Sequence, residues 1–359
     1  MNRKNIVAHV VGARPNFVKA APLINALYEK DLSQVIIHTG QHYSKNLSGD
    51  FFEILNIPEP DYHLSVGSGT HALQTSEILK KIEPILLDIN PDLLIVYGDV
   101  NSTVAASLAA SKLQIKIAHI ESGLRSFDRN MPEEINRVIV DHICNYHFVT
   151  EESGLENLAR EGIENSSIFY VGNTIIDTLK KSLEKAVCSE EEQFALLTCH
   201  RPSNVDSKEG LLKLLDICKT TKTKIIFPVH PRTKLNLEKH GLLHEFEKIN
   251  NLTMKEPLSY TEFLGHMKSA SFVLTDSGGI QEETTALGVP CLTLRDNTER
   301  PSTIDIGTNI LIKDADHLQE QIKKILDKKF KKGKVPKNWD GFASKRISNI
   351  IEEIVIQSS

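Results

Sequence analysis

Thr275-Asp276-Ser277-Gly278-Gly279-Ile280-Gln281-Glu282-Glu283 closes an apolar run at 272–275 and opens onto a helical pattern. Two glycines let the backbone approach a ligand closely. The N–H groups and dipole of the helix that follows favour a phosphate. Ser277 adds a hydroxyl donor. Glu283 lies one turn further, placed to accept from a ribose diol, as acids do in dinucleotide folds. A glycine pair opening a helix is common, so the stretch has to be weighed with its surroundings. A basic cluster, Arg295-Asp296-Asn297-Thr298-Glu299-Arg300-Pro301, follows the next apolar run. Together these features point to a nucleoside diphosphate seated on the second half of the chain.

The same strand-then-helix pattern recurs outward from this stretch. Short β-branched runs fall at 6–11, 35–39, 93–97, 115–120, 147–150 and 168–171, then at 195–199, 224–229, 272–275, 291–294 and 309–312. Apolar strands alternating with helices read as parallel sheets covered on both faces, the α/β class. At 359 residues the chain is too long for one small core and predicts two domains. The boundary is placed after Val171-Gly172-Asn173-Thr174, giving domains 1–173 and 174–340, with the charged helical segment 180–192 carrying the chain across. In the last stretch, 341–359, Phe342, Ile347, Ile350, Ile351, Ile354 and Val355 fall at helical spacing. It follows the Lys-rich segment 328–337, so it is expected to pack away from the domain before it.

Composition narrows the partners. With 40% apolar and 25% charged residues the chain is a folded one, not a low-complexity segment. A net charge of −5 with dispersed Lys and Arg argues against nucleic acid or an anionic membrane as partner. Five scattered cysteines, without a CxxC pair, indicate a reducing, cytoplasmic setting without a disulfide framework or structural zinc. No apolar run approaches the roughly 20 residues that span a bilayer.

Charged groups in the first half cluster at strand ends. In Gly12-Ala13-Arg14-Pro15-Asn16-Phe17-Val18-Lys19, Gly12 permits a tight turn, and Arg14 and Lys19 place two cations near a helix N-terminus. A plain βα turn with two solvated cations fits the same residues. The segment is not a GxGxxG fingerprint, and no P-loop occurs. In Tyr97-Gly98-Asp99-Val100-Asn101, Asp99 stands at a strand's carboxyl end, where parallel sheets bind ligands. Helix capping is the commoner use of Asp there. In His119-Ile120-Glu121-Ser122-Gly123-Leu124-Arg125, an acid directly after an apolar strand is costly unless partnered or used. Met131-Pro132-Glu133-Glu134-Ile135-Asn136-Arg137 reads as a helix first turn, where dipole compensation and a Glu133–Arg137 pair are the ordinary roles. Positions 133, 137, 140 and 144 share a face with apolar Val140 and Cys144, so Glu133 and Arg137 are expected to point toward a covered surface. Three acids at strand or helix ends suit proton abstraction and return. They would also suit a metal, but no His/Asp pairing at ligand spacing supports one. In the second half, His200 in Thr198-Cys199-His200-Arg201-Pro202 and His230 in Val229-His230-Pro231-Arg232 end two further runs. Each is a candidate acid, base or phosphate donor, and a structural role is the more frequent one for a lone His.

Taken in order from about residue 6 to 312, these motifs resemble the non-hydrolysing UDP-N-acetylglucosamine 2-epimerases. The resemblance rests on Gly12-Ala13-Arg14-Pro15 with Lys19, Gly98-Asp99, Glu121-Ser122-Gly123-Leu124-Arg125, Pro132-Glu133-Glu134-Ile135-Asn136-Arg137, Gly172-Asn173-Thr174, His200-Arg201, Ser277-Gly278-Gly279-Ile280-Gln281-Glu282-Glu283 and Thr298-Glu299-Arg300-Pro301.

What the resemblance implies is a GT-B-like fold, two Rossmann-like parallel-sheet domains facing a cleft, with the C-terminal helix returning to the first. It implies a homodimer that needs neither NAD nor a metal and takes a UDP-sugar as substrate. The implied reaction interconverts UDP-GlcNAc and UDP-ManNAc for surface polysaccharide. The C2 proton is lost with anti elimination of UDP, giving 2-acetamidoglucal, and UDP adds back. A relative acting on a modified UDP-N-acetyl sugar, or one that hydrolyses the substrate to ManNAc and UDP, stands as the alternative. A glycosyltransferase on the same fold would leave the acids unexplained. By matching positions, Asp99, Glu121, Glu133 and His200 are the catalytic candidates. Arg14, Lys19, Ser277, Gly278, Gly279 and Arg300 would hold the diphosphate and sugar, and Glu283 the ribose. Leu258 and Phe263, in the segment 256–263, would line the uracil pocket, with Arg137 and His230 in support. The chain departs from the family at Ala13, Asn16 and Pro202-Ser203-Asn204-Val205-Asp206. It also lacks the activator-binding Arg of some members in Gly67-Ser68-Gly69-Thr70, and Gln41-His42-Tyr43 keeps only part of the associated pattern.

Overall fold

The structure is a computed structural model that describes residues 5–12, 14–40, 55–188, 190 and 192–357, without the side chain of Arg14. Ala13 and Gln41-His42-Tyr43 lie outside the described residues. The chain divides into two units, Met1–Thr178 with Lys337–Ser359, and Leu179–Pro336.

The first unit is built on a sheet of seven strands. They are β1 (Ile6–Val11), β2 (Ser33–His38), β3 (Tyr62–His63), β4 (Leu93–Tyr97), β5 (Lys116–Ser122), β6 (Tyr146–Val149) and β7 (Ile168–Tyr170), in the order β3-β2-β1-β4-β5-β6-β7. The second holds β8 (Phe194–Thr198), β9 (Lys224–Pro228), β10 (Leu252–Lys255), β11 (Phe272–Thr275), β12 (Cys291–Thr293) and β13 (Asn309–Leu311), ordered β10-β9-β8-β11-β12-β13. Every pairing between these strands is parallel. Both units are Rossmann-like, and the α/β, GT-B-like class expected from the sequence is the one observed.

Each apolar run of the sequence forms a strand within a few residues of its expected place. Central strands such as β4 are buried along their whole length, as strands covered on both faces must be. The sequence reading missed β3 and β10. Both are edge strands: β3 is two residues long, and β10, Leu252-Thr253-Met254-Lys255, is half polar. An edge strand is covered on fewer sides and needs no continuous apolar signature.

In each sheet the strand order reverses once, between β1 and β4 and again between β8 and β11. Helices leaving such a point diverge to opposite faces and open a crevice at the carboxyl ends of the strands. Gly12 and Gly98-Asp99 follow β1 and β4, and Cys199-His200 and Asp276-Ser277 follow β8 and β11.

The helix Ala343–Ile356 packs against the helix Arg14–Leu27 within the first unit. Lys30 Nζ bonds Asn349 Oδ1 at 2.8 Å and Glu352 Oε2 at 2.7 Å. The first N–H groups of the C-terminal helix have no partner within their own helix. Asp177 supplies one from elsewhere in the unit, accepting from Ala343 N at 3.1 Å and Ser344 N at 2.7 Å. Trp339, the chain's single tryptophan, is buried just before this helix and donates to the Thr150 carbonyl at 2.8 Å. Among the described residues no helix is long and apolar enough to cross a membrane, and all five cysteines are free.

An Asp177→Ala variant removes a helix cap and should lower the stability of the first unit by about 1 kcal/mol. Urea denaturation followed by Trp339 fluorescence measures it, and an unchanged midpoint would contradict the capping role.

Candidate active site

At the end of β4, Gly98 adopts φ +61, a left-handed conformation that glycine takes without a steric penalty. The close approach of Lys19 and Glu121 also demands a glycine. A Cβ on Gly98 would come within 2.7 Å of Lys19 Nζ and 3.2 Å of Glu121 Oε2. Lys19 and Glu121, both buried, form an ion pair with each other. Lys19, expected on the diphosphate, is therefore placed beside a candidate acid. Asp99 follows, one-fifth exposed, and its Oδ2 accepts from Arg137 Nη2 at 2.5 Å. Asn136 Nδ2 holds the Asp99 carbonyl at 2.8 Å. Asn16, one of the family departures, ties the first turn to this strand, accepting from Gly12 N at 3.2 Å and donating to the Tyr97 carbonyl at 2.9 Å.

Glu121 sits at φ +75, and the register between β5 and β6 shifts across it, so it is the extra residue of a β-bulge. Bulges re-aim side chains, and a non-glycine residue in the left-handed region persists only where its surroundings hold it there.

On the helix Pro132–Ile143 the acids separate. Glu134 is buried, accepting from Ser126 N, Ser126 Oγ and Phe127 N at 2.9–3.0 Å and from Arg137 Nη1 at 2.7 Å. Glu133 is half-buried, and nothing among the described residues bonds its carboxylate. The expected Glu133–Arg137 pair is replaced by Asp99–Arg137–Glu134, because Glu134 folds back onto the loop before the helix.

Behind these turns lies a buried charged network the sequence reading did not single out. Asp141 accepts from His119 Nδ1 at 2.7 Å, Arg125 Nη1 at 2.7 Å and Gly123 N at 3.0 Å. Burial alone would push its carboxyl up, but His119 and Arg125 outweigh it and bring it down to about 2. Arg125 also forks onto Glu161, at 2.8 and 2.6 Å.

In the second unit a single buried carboxylate organises the crevice. Asp276 accepts from the backbone N–H of His200 at 3.0–3.1 Å, Arg201 N at 2.8 Å, Asn204 Nδ2 at 3.0 Å and Cys199 Sγ at 3.0 Å. Burial raises this carboxyl too, but His200 and these donors hold it below the usual range. His200 lies 5.2 Å, ring to ring, from His230. Burial lowers the proton affinity of His200, Arg201 and Arg232 lower it further, and Asp276 opposes them. His230 Nδ1 accepts from Arg232 N at 3.1 Å and so caps the helix Pro231–Lys239. Arg232 in turn forks onto Asp206, at 2.7 and 2.5 Å.

Ser277 precedes the helix Gly278–Leu287 in extended conformation, and its side chain makes no capping bond. Against this turn lies Arg300, buried between Glu299, with which it pairs, and Glu282, 3.0 Å from its Nε. A Cβ on Gly278 would stand 2.5 Å from Arg300 Nη1, so only glycine lets the guanidinium lie under the turn. Glu283 is buried and accepts from Tyr260 Oη at 2.8 Å. Leu258 and Phe263 flank Tyr260 in sequence and are half-buried. The sequence reading passed over Tyr260, Asp276, Glu282 and Glu299, although all four lie within segments it quoted.

The crevices thus carry acids paired with cations in one Rossmann-like unit and an arginine beneath a glycine-opened helix in the other, the marks of a nucleotide-sugar enzyme of the GT-B-like class. A family model for UDP-N-acetylglucosamine 2-epimerase matches residues 25–352, and the chain belongs to that family. It is 45% identical to the UDP-N-acetylglucosamine 2-epimerase of Methanocaldococcus jannaschii, with 95% of this chain and 97% of that protein covered. The crystal structure of the M. jannaschii enzyme in complex with UDP-GlcNAc and UDP superposes with a TM-score of 0.89, covering 97% and 99% of the two chains at 44% identity. The UDP-2,3-diacetamido-2,3-dideoxy-D-glucuronate 2-epimerase of Pseudomonas aeruginosa is 39% identical over 84% of this chain and 87% of its own.

The depressed Asp141 carboxyl makes stability pH-dependent with a definite sign. An unfolded Asp titrates near pH 4 and the folded one at about 2, so its contribution is present above about pH 4 and lost as pH falls toward 2. Urea denaturation at pH 6, 4 and 3 should show this decline, and an Asp141→Asn variant, weaker throughout, should decline less steeply. Equal slopes would assign the acid sensitivity to other groups.

Proposed function

We propose that the chain interconverts UDP-N-acetylglucosamine and UDP-N-acetylmannosamine without releasing the free sugar. The observation that carries the proposal is the grouping of Asp99 and Glu121 around Gly98, each paired with a cation, in a chain of this family. The C2 proton of the substrate is weakly acidic, so its removal must be coupled to departure of the leaving group. One carboxylate takes the C2 proton while the C1–O bond to UDP breaks, giving 2-acetamidoglucal. UDP then re-adds at C1 as a second, protonated carboxyl group delivers its proton to the opposite face of C2, and exchange with water restores the two groups. Asp99, Glu121 and Glu133 are the groups assigned to these transfers and to holding the glucal.

The nucleotide is assigned to the second unit. Gly278 and Gly279 offer backbone N–H groups, and Ser277 its hydroxyl, which makes no capping bond, to the diphosphate. Arg300 beneath them adds positive charge where negative charge develops as UDP leaves. Glu283, oriented by Tyr260, takes the ribose diol, and Leu258 and Phe263 the uracil. Near neutral pH His200 is held neutral and so attends the diphosphate as a hydrogen-bonding group.

The 39% identical P. aeruginosa relative favours one second reading, a substrate bearing a further acetamido group and a uronate. One experiment separates the readings. Incubation in D2O with UDP-GlcNAc and with UDP-diacetamidoglucuronate, followed by NMR, should give the UDP-ManNAc product deuterated at C2. Undeuterated product would sink the elimination mechanism, free ManNAc would indicate hydrolysis, and turnover of the uronate alone would select the second reading.

Two sets of variants follow from the assignments. Asp99→Asn and Glu121→Gln should each lower kcat by about 10²–10⁴-fold while UDP binding stays intact. Gly278→Ala, which displaces Arg300, should weaken UDP binding about tenfold, roughly 1.4 kcal/mol by calorimetry.

A further inference from the structure

His119 is wholly buried in the middle of β5, two residues before the bulged Glu121 and beside the Gly98-Asp99 turn that follows β4. Its ring nitrogens face two acceptors. Nδ1 lies 2.7 Å from Asp141 Oδ1, and Nε2 lies 2.8 Å from the Gly98 carbonyl oxygen. A carbonyl oxygen has no proton to give. Asp141 already accepts from Arg125 and Gly123 N through its other oxygen, so it too is an acceptor here. A neutral imidazole has one N–H and would leave one of these bonds unmade, whereas an imidazolium donates on both sides. The other titratable groups around it are consistent with this state. His147, on β6, bonds the Asp141 carbonyl through Nε2 at 2.8 Å and is itself held neutral, chiefly by burial. Cys144 directs its thiol to the same carbonyl at 3.8 Å, and burial keeps it protonated.

His119, Asp141 and Cys144 bring potential ligand atoms within 4.8 Å of one another, but metal chemistry does not suit them. Both His119 nitrogens and both Asp141 oxygens are committed, and the Arg125 guanidinium already occupies the position of a cation.

The bonds of His119 reach backbone, and that backbone is what aims the acids. On one side it fixes the carbonyl of Gly98, the residue before Asp99. On the other, through Asp141, it fixes Gly123 N, two residues beyond the bulged Glu121. Gly98 N in turn bonds the Ile120 carbonyl at 3.0 Å, and Ser122 Oγ bonds the His119 carbonyl at 2.7 Å, so the two turns form one braced unit. We propose that His119 is a positioning residue, a buried imidazolium that holds the Gly98-Asp99 turn and the Glu121 bulge in register with one another. That it serves catalysis rests on the proposed epimerase reading. The charge state and the bracing do not.

The test has arms that fail separately. In wild-type protein labelled with ¹⁵N-histidine, both His119 ring nitrogens should carry slowly exchanging protons at neutral pH. One bare ring nitrogen would overturn the proposal. His119→Gln keeps a donor within reach of the Gly98 carbonyl, and His119→Asn keeps only the side toward Asp141. The Asn variant should lose about 10²-fold in kcat, the effect of a small misplacement of reacting groups. Its KM and UDP binding should change little, and the Gln variant should recover part of the loss. Folded variants that both keep wild-type kcat would overturn the positioning role, as would equal losses in the two. If the wild type turns over no UDP-sugar, the epimerase reading fails alone. The labelled histidine and faster hydrogen exchange at Gly98 and Gly123 in the Asn variant, or its absence, then decide the present inference.

Discussion

A parallel sheet whose strand order reverses leaves one place where neighbouring chains must part, and the placement of functional groups in both units follows from that constraint. At β1/β4 and β8/β11 the connecting helices turn to opposite faces, and the strand ends between them lose their cover. Backbone groups and side chains there must find partners, or a ligand, without help from a helix packed across them. The first unit answers with Gly12, Asn16 and Gly98-Asp99, and the second with Asp276, which gathers the turn after β8 to the turn after β11.

The second common element is paired charge. Lys19 with Glu121, Arg137 between Asp99 and Glu134, and Arg300 between Glu299 and Glu282 all place a cation against buried or half-buried carboxylates. An isolated buried charge is expensive, while one that is paired and hydrogen-bonded can be retained, and pairing also fixes direction. The small net charge of the chain is therefore no measure of its local fields. Opposite charges are concentrated at the same strand ends and cancel in the sum.

The sheets were legible in the sequence because central parallel strands must be apolar along their length, and every such run became a strand. The edge strands β3 and β10 were not, since an edge needs no such run. Around the crevices the motifs named the loops, but pairing across the sequence stayed hidden. Asp99 and Arg137 are 38 residues apart and meet only because the helix Pro132–Ile143 follows the neighbouring strand. Periodicity linked Glu133 to Arg137, but the loop 126–127 captured Glu134, a local closure no helical wheel contains. Supporting groups such as His119, Asp141 and Tyr260 escaped because single His, Asp and Tyr residues carry no spacing signature. Their role is visible only in what their atoms touch.

The second unit is an insertion: residues Leu179–Pro336 interrupt a first unit that is completed only by Lys337–Ser359. Trp339 and the helix Ala343–Ile356 are thus made after the insertion, and the helix Arg14–Leu27 against which that helix packs is made before it. On the ribosome the strands β8 to β13 of the inserted unit all emerge before the helix Ala343–Ile356 that the first unit still lacks. The side of the helix Arg14–Leu27 that meets the helix Ala343–Ile356 therefore waits for its partner until the whole insertion has been made.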